Sequence, residues 1–375
     1  GRNCYLGKPT LQGSKVIMSA DITLPAGAPE EVVTNALVRD IDLAAFGGKG
    51  SMALITLDNG HDHNRPNTFG PQSVKALDAA ITDAIARKPA AIAITGKPFI
   101  FAAGADLSAL SFLSERSQSL AIGKLGHDVF RRLGESSIPT FAFINGLALG
   151  GGLEVGLHCH YRTVASTAFT ALPEVFLGLV PGWGGATILP KLIGPERAVQ
   201  VIMLNALNNN TMMKAKDALK LGVVDAMFEP ADFLERSIGF AVNVLNGSTK
   251  IERADYSNDP AWDSALATGK AAALKKYGGA QIASPTKALE LIAAARTNTL
   301  GEGFDAEDQV LADLTMSDPL RASLYAFNLI QKKRKKVEGA PKPALARKVT
   351  KVGVVGAGLM ASQLALLMVR NLKCP

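Results

Sequence analysis

Apolar and polar positions follow each other along the chain in blocks that are typical of an α/β protein. Residues 51–57 form a β-type run closed by the turn Asp58-Asn59-Gly60. Apolar residues then recur at helical spacing over 71–88, with Pro71 at a suitable helix start. Four more short runs predict strands over 90–95, Thr140–Ile144, Tyr161–Ala165 and 168–171. We therefore expect strands and helices to alternate through this half of the chain.

Helical patterns dominate from Gly194 onward. The spacing predicts helices over 195–204 and 211–221, followed by a long helical stretch that continues through Leu329. At residues 339–344 the sequence becomes Gly-Ala-Pro-Lys-Pro-Ala, which is typical of a stiff linker.

The segment after the linker has the pattern of a dinucleotide-binding turn. A predicted strand over 352–355 leads into Gly356-x-Gly358-x-x-Ala361 and the start of a helix. The acidic residue that binds the ribose, expected about 20 residues further on, would lie beyond residue 375. We therefore predict that this segment does not bind NAD usefully.

These patterns predict five parts of the chain. We expect a leader or expression remnant over 1–35, with Met18 as a plausible natural start, an α/β core over 36–250, a helical part over 251–338, a linker over 339–350, and the truncated start of an NAD-binding domain over 351–375.

Composition and charge add few restrictions. The three cysteines are far apart, and the histidine pairs lack further ligands, so we expect no metal site. Most of the net charge of +7 comes from Lys-Lys-Arg-Lys-Lys at 332–336. We interpret this run as a solvated helix end, with attraction for a polyanion or a membrane surface as the open alternative. Without a secretory signal or an apolar spanning run, we expect a soluble cytoplasmic protein without a transmembrane segment.

Two glutamates stand alone in long stretches that are otherwise free of Asp, Glu, Lys and Arg. Glu154 is the only such residue in 136–161, and Glu174 is the only one in 163–190. Carboxylates are seldom buried without a function, because the ionised form loses its hydration. We expect one dry pocket in which one carboxyl group holds a proton and the other accepts one. Structural carboxylates bonded to backbone amides are the alternative.

Two small-residue turns suggest a site for negative charge beside these glutamates. Gly150-Gly151-Gly152 follows a strand and precedes the helical segment with Glu154, and a similar turn occurs at 101–107. If the N–H groups of Ala105 and Gly151 converge, they form an oxyanion hole. Ordinary tight turns of a packed domain are the alternative.

Three segments in the same order resemble the crotonase, or enoyl-CoA hydratase, superfamily: 96–107, 145–154 and 173–185. The resemblance covers about 37–330 and implies an α/β fold made of a spiral of repeated β-β-α units, with a helical C-terminal part. It implies that Ala105 and Gly151 bind the thioester oxygen. It also implies that Glu154 acts as base for the water and Glu174 as proton donor. Both glutamates together are typical of a hydratase, whereas relatives that shift the double bond usually keep one.

The tail is similar to the NAD-binding domain of 3-hydroxyacyl-CoA dehydrogenases. Together the two parts resemble the α subunit of the multifunctional fatty-acid oxidation enzyme. This resemblance implies an acyl-CoA substrate and no cofactor for hydration, with NAD used only by the full-length enzyme. It also implies a homo-oligomer or a thiolase partner, and no specific nucleic acid.

Some features keep other functions open. An isomerase, or a catalytically idle member that binds RNA or a partner through 332–336, would share the same fold. His160 stands where many hydratases have an aspartate, and we interpret it as structural. Trp183 is unusual for an acyl pocket. The candidates for lining that pocket are Phe99, Phe101, Phe112 and Phe176.

Overall fold

The computed structural model describes residues 27–330, 339, 341 and 343–372. It separates into two compact units, with the boundary between Leu324 and Tyr325. The expectations for Met18 and for the basic run at 332–336 lie outside the described residues. The predicted domain boundaries stay a prediction.

The described strands run in chain order as follows. They are β1 (Asn35–Asp42), β2 (Ser51–Asp58), β3 (Ala91–Gly96), β4 (Ile100–Ala102), β5 (Thr140–Ile144), β6 (Leu147–Leu149), β7 (Tyr161–Ala165), β8 (Phe169–Ala171), β9 (Met213–Lys214) and β10 (Ala226–Phe228).

The described helices alternate with these strands and then follow them. They are α1 (Pro71–Ala86), α2 (Arg116–Gly134), α3 (Gly151–His158), α4 (Glu174–Leu177), α5 (Gly185–Ile193), α6 (Pro195–Val199), α7 (Asn205–Leu207), α8 (Ala215–Leu221), α9 (Phe233–Leu245), α10 (Trp262–Lys276), α11 (Ala283–Ala294), α12 (Leu300–Thr315), α13 (Asp318–Asn328) and α14 (Leu359–Leu372). A π-helical turn, Gln200–Leu204, joins α6 to α7.

Two sheets organise the first unit. The larger has the order β1-β2-β3-β5-β7-β10, in which β1 pairs antiparallel with β2 and the other neighbours are parallel. The smaller has the order β4-β6-β8-β9, with β4, β6 and β8 parallel and β9 antiparallel to β8. Every residue of β3 and β5 is buried, as expected for parallel strands covered on both faces.

Most predicted strands lie within about one residue of their expected position, but some elements differ. The prediction missed β1, because this exposed edge strand carries polar residues on much of its length. The predicted helix over 211–221 was wrong at its start, since Met213 pairs with Thr170 in the smaller sheet and the helix begins at Ala215. The predicted long helical stretch is divided into α10, α11, α12 and α13.

Helix α12 has a clear start signal and an unusual buried face. Thr299 and Glu302 form a reciprocal capping box that satisfies backbone N–H groups at its beginning. The helix packs against α2, α5 and α11, and its buried face includes Phe304 but also the acidic Glu307 and Asp308. Two carboxylates on an apolar stripe are costly to bury without partners, and His127 on α2 contacts both of them.

The second unit corrects one prediction. The strand predicted over 352–355 is wrong. The described residues 351–357 have no regular secondary structure, and Val355 is fully exposed. A strand needs hydrogen-bonding neighbours, and the described residues supply none here. The helix that follows does form, as α14. Among the helices that the structure describes, none combines the length and apolarity that a membrane span requires.

Candidate active site

The end of the smaller sheet positions Glu154. The chain leaves β6, turns at Gly150 with φ of 51°, and enters α3, whose first turn carries Glu154. This side chain is only 2% exposed. Its Oε1 accepts hydrogen bonds from the backbone N–H groups of Trp183 and Gly185, both at 2.8 Å. Glu154 therefore has hydrogen-bond donors that stabilise its ionised form.

Glu174 stands at the first position of the short helix α4 and has a different environment. The residue as a whole is half-buried, but its Oε2 is enclosed and has no hydrogen-bond partner among the described residues. Its Oε1 lies so close to Gly150 that a side chain at that position would collide with it. Glycine at 150 therefore permits the Glu174 carboxyl group to lie against the turn that begins α3.

Both glutamates line one cavity of about 100 Å³. Apolar residues from the surrounding loops and helices form most of its wall: Leu107, Leu110, Ile122, Leu177, Leu179, Val180, Trp183 and Leu311. None of the four phenylalanines that we named as candidates belongs to it. Phe101 is in the core, while Phe99, Phe112 and Phe176 are exposed. An apolar wall lowers the local dielectric and so strengthens electrostatic interactions between the groups in the cavity.

Burial and mutual repulsion change the proton affinity of both carboxyl groups. Burial, followed by the nearby charge of Glu307, raises the pKa of Glu154 to about 7. Burial, followed by the charge of Glu154, raises the pKa of Glu174 well above its ordinary value. Because only Glu154 has two N–H donors on its carboxylate, the proton is held more readily on Glu174. The two carboxyl groups that line the cavity thus differ in proton affinity.

The backbone of Ala105 and that of Gly151 line the same cavity. The turn before α3 lies against the turn at Gly104, where a Cβ atom would be 3.3 Å from the nitrogen of Gly151. In the same way, a Cβ atom on Gly151 would be 3.6 Å from the nitrogen of Ala105. Neither nitrogen donates a hydrogen bond to another described residue. The two amides are therefore close together and available to an oxygen of a ligand.

Backbone pairing fixes the turn that carries Ala105. The N–H of Phe69 donates to Gly104 at 2.8 Å, and the N–H of Asp106 donates to Phe69 at 3.0 Å. Ala105 lies between Gly104 and Asp106, and its own N–H takes no part in this pairing with Phe69. The arrangement suits an oxyanion hole, in which donors must be fixed before the charge develops.

Three buried residues near the site were not identified from the sequence. Glu307 on α12 accepts from the N–H of Gly184 at 2.6 Å and from Nε2 of His127 at 3.1 Å. Nδ1 of His127 donates to Asp308 at 2.8 Å. The available signal was helical spacing: these residues lie on the apolar stripes of α2 and α12, where charged residues are rare.

Other histidines of the site region have structural partners. Nδ1 of His160 accepts from the N–H of Thr140 at 3.0 Å, in keeping with its expected structural part. Nε2 of His158 donates to the carbonyl of Trp183 at 3.0 Å. Burial and the neighbouring His127 lower the pKa of His158 to about 3, so its ring is neutral. In the part of the chain that the structure describes, no group of three or more potential ligands could hold a metal ion.

The predicted NAD motif lies in the second unit and is not part of this site. Among the described residues, a Cβ atom at Gly353 or Gly358 would meet no atom within 4 Å, and one at Gly356 would meet only Ala361. The motif binds a pyrophosphate only when a strand and a helix hold the turn closed. With no strand before it, Gly356, Gly358 and Ala361 do not form a fitting cradle for a dinucleotide.

Comparisons with known proteins show the family of this chain. Residues 47–281 match the family model described as Enoyl-CoA hydratase/isomerase. The chain is similar to the fatty acid oxidation complex subunit alpha of Shewanella loihica, with 30% identity over 340 residues that cover 86% of this chain and 46% of that protein. The chain therefore spans a little under half the length of the curated relatives that it matches.

Solved structures share the fold. A carnitinyl-CoA dehydratase from Mycobacterium thermoresistibile aligns with a TM-score of 0.58 and 20% identity, over 83% of this chain and 94% of the other. The human mitochondrial delta3-delta2-enoyl-CoA isomerase aligns with a TM-score of 0.56 and 19% identity, over 80% and 100%. At such identities the likeness concerns the fold alone. It confirms the predicted crotonase-type architecture with a helical C-terminal part.

Proposed function

This chain belongs to the enoyl-CoA hydratase/isomerase family, and we propose that it adds water to a 2-trans-enoyl-CoA to give a 3-hydroxyacyl-CoA. The observation that carries the proposal is the pair Glu154 and Glu174 on one small apolar cavity, next to the amides of Ala105 and Gly151, which donate to no other described residue. Addition of water to an activated double bond needs a base, an acid and stabilisation of an enolate. These four groups can supply all three.

In the proposed reaction the thioester oxygen accepts hydrogen bonds from the N–H groups of Ala105 and Gly151. Polarisation of the carbonyl makes C3 of the enoyl group electrophilic, and the positive end of α3 supports the charge that develops on oxygen. The hole is fixed in advance by the backbone pairing of Phe69, so little reorganisation is needed.

Glu154 and Glu174 divide the proton transfers. Water lies between them, Glu154 takes one of its protons, and the hydroxide forms a bond to C3. The C2 carbon takes the proton of Glu174 as the enolate collapses. One proton has then moved onto Glu154 and one has left Glu174, so exchange with solvent restores the pair. The number of protons on the pair is the same before and after.

Hydration is tested with a series of enoyl-CoA thioesters of increasing acyl length, each followed by loss of the conjugated double bond. We expect turnover to a 3-hydroxyacyl-CoA. The family name also includes isomerases, and a 3-enoyl-CoA separates the two activities. Conversion of the 3-enoyl-CoA to the 2-enoyl form without hydration of either substrate would refute the proposal.

The longer context is also a proposal. Curated relatives are named as the alpha subunit of a fatty acid oxidation complex, and they extend beyond this chain. We propose that this chain carries the hydratase part of such an enzyme in the cytoplasm, as a homo-oligomer or with a thiolase partner. NAD would be used only by the longer enzyme. Co-purification of the full-length protein with a thiolase tests the partner, and migration as a lone monomer contradicts both assemblies.

A further inference from the structure

Three buried side chains are connected to the site by one turn of the backbone. They are His127, Glu307 and Asp308. All three are buried, His127 from α2 and the two acids from α12. His127 donates from Nε2 to Glu307 at 3.1 Å and from Nδ1 to Asp308 at 2.8 Å. Because the two carboxylates bind opposite nitrogens, both nitrogens act as donors and the ring carries a positive charge.

The turn Trp183-Gly184-Gly185 connects these side chains to Glu154. Its first and third N–H groups donate to Oε1 of Glu154, both at 2.8 Å. Its middle N–H, that of Gly184, donates to Oε2 of Glu307 at 2.6 Å. Three successive amides are therefore shared between two carboxylates. Glu307 thus binds the same turn whose neighbouring N–H groups hold Glu154.

The burial of Glu307 is costly for stability. Its Oε1 is enclosed and has no hydrogen-bond partner among the described residues. An ionised carboxylate with one unsatisfied oxygen in a dry interior costs several kcal/mol, roughly, and an apolar side chain would avoid this cost. A buried carboxylate next to a site carboxylate is instead the arrangement that adjusts proton affinity in an active site.

We propose that Glu307 and His127 are positioning residues, which hold the turn 183–185 and set how readily Glu154 takes up a proton from water. Glu307 supplies a negative charge that favours the protonated form of Glu154, and His127 supplies a positive charge that favours the ionised form. The kinetic part of this inference rests on the proposed hydration function.

The titratable groups that surround Glu154 come from four helices. Glu174 on α4 and Glu307 on α12 are acidic, and His127 on α2 is cationic, while His158 on α3 is neutral. After burial, the charge of Glu307 is the main factor that raises the pKa of Glu154, and the charge of His127 lowers it by a smaller amount. The two residues thus act in opposite directions on the same base.

Opposite shifts of the pH profile test the proposal. Activity falls at low pH when Glu154 becomes protonated, and the midpoint of that fall reports on its proton affinity. In Glu307→Gln we expect the midpoint to move down by about one pH unit, because a neighbouring negative charge is lost. In His127→Asn we expect it to move up by a smaller amount. Loss of a purely structural contact would lower the rate without moving the midpoint in opposite directions.

A matched control and a second measurement complete the design. Asp313→Asn removes one negative charge from the same helix at an exposed position, where Asp313 pairs with Arg116, and it should leave the midpoint unchanged. Titration of Glu154 by ¹³C NMR of its carboxyl carbon measures the same quantity without turnover. If the protein does not hydrate enoyl-CoA, this titration still tests whether Glu307 and His127 change the proton affinity of Glu154.

The outcomes decide the proposal in either case. Opposite shifts in the two variants, with no shift in Asp313→Asn, support it. Midpoints that stay unchanged in both variants, or move in the same direction, overturn it. If one variant fails to fold, the direction of the shift in the other decides.

Discussion

Two glycine turns that look alike in sequence have different surroundings in the structure. At Gly150-Gly151-Gly152, a Cβ atom on any of the three would collide with a neighbour: the Glu174 carboxyl group, the Trp183 ring and the carbonyl of Ala102, respectively. At Gly356-x-Gly358, a Cβ atom would meet only Ala361, at position 356, in the part of the chain that the structure describes. Glycine is required by close packing in the first turn. In the second turn the described residues leave room for a side chain, and it is the φ of 117° at Gly356, not packing, that favours glycine.

The comparison teaches that spacing alone does not make a site. The first turn lies between a paired strand and α3, and a second loop brings Ala105 against it. The second turn has a helix after it but no strand before it. A ligand gains affinity from donors that are already fixed, because ordering them on binding costs free energy.

Loss of either carboxyl group is expected to have the greatest effect. Glu154→Gln removes the base and Glu174→Gln removes the proton donor, so each should lower kcat for hydration by about 10²–10⁴-fold. Steady-state kinetics with an enoyl-CoA provide the measurement. Glu290→Gln changes an exposed glutamate paired with Lys287 and should behave like the wild type. Turnover by Glu154→Gln or Glu174→Gln at the wild-type rate would contradict the assignment.

A matched pair of substitutions compares the two glycine turns directly. Gly151→Ala places a methyl group against the buried Trp183 ring, so the ring or the Gly151 amide must move. We expect kcat to fall by about 10²-fold, as for loss of one oxyanion donor, and stability to fall by about 1–3 kcal/mol from overpacking. Gly358→Ala meets open space and should change neither. If the two variants had the same kcat and the same free energy of unfolding in urea, the proposed difference between the two turns would be wrong.

Stability should depend on pH through His127. Burial alone would lower the pKa of this histidine, but its bonds to Asp308 and Glu307 outweigh burial and raise it to about 9. Because the folded pKa is above the unfolded one, the stabilisation is complete below the unfolded pKa of about 6.5 and is lost as pH rises through about 9. The loss amounts to about 3 kcal/mol. Urea unfolding at a series of pH values measures it. The same loss in His127→Asn would exclude His127 as its source.

The second turn should give the smallest effect of all. With no strand before Gly356, we expect no saturable binding of NAD or NADH to this chain, as measured by fluorescence titration of NADH. Gly358→Ala should give the same flat titration. Tight binding that Gly358→Ala weakens would show that the motif is a working site after all.

The sequence allowed the two glutamates of the cavity to be predicted, because a lone charge in a long apolar stretch is a strong signal. Glu154 and Glu174 were predicted in this way, and the structure brings them to one cavity. Their roles stay a prediction. Glu307 was missed because it stands among other acids on α12, so only its position on the buried stripe distinguishes it. His127 has no signal in its own segment, since its partners lie about 180 residues further along the chain.

Local patterns also had limits for the fold. The apolar run at 352–355 has strand composition but no partner among the described residues, and β1 pairs in the sheet despite its polar composition. Pairing with a neighbour decided both cases, and a single sequence does not show which neighbours a segment will find.

The division of roles between Glu154 and Glu174 is tested most directly by infrared spectroscopy of the carboxyl groups slightly above neutral pH. The account predicts a C=O band of a protonated, buried carboxyl group that disappears in Glu174→Gln and persists in Glu154→Gln. A band that disappears in Glu154→Gln but persists in Glu174→Gln would place the proton on the wrong glutamate and contradict the account.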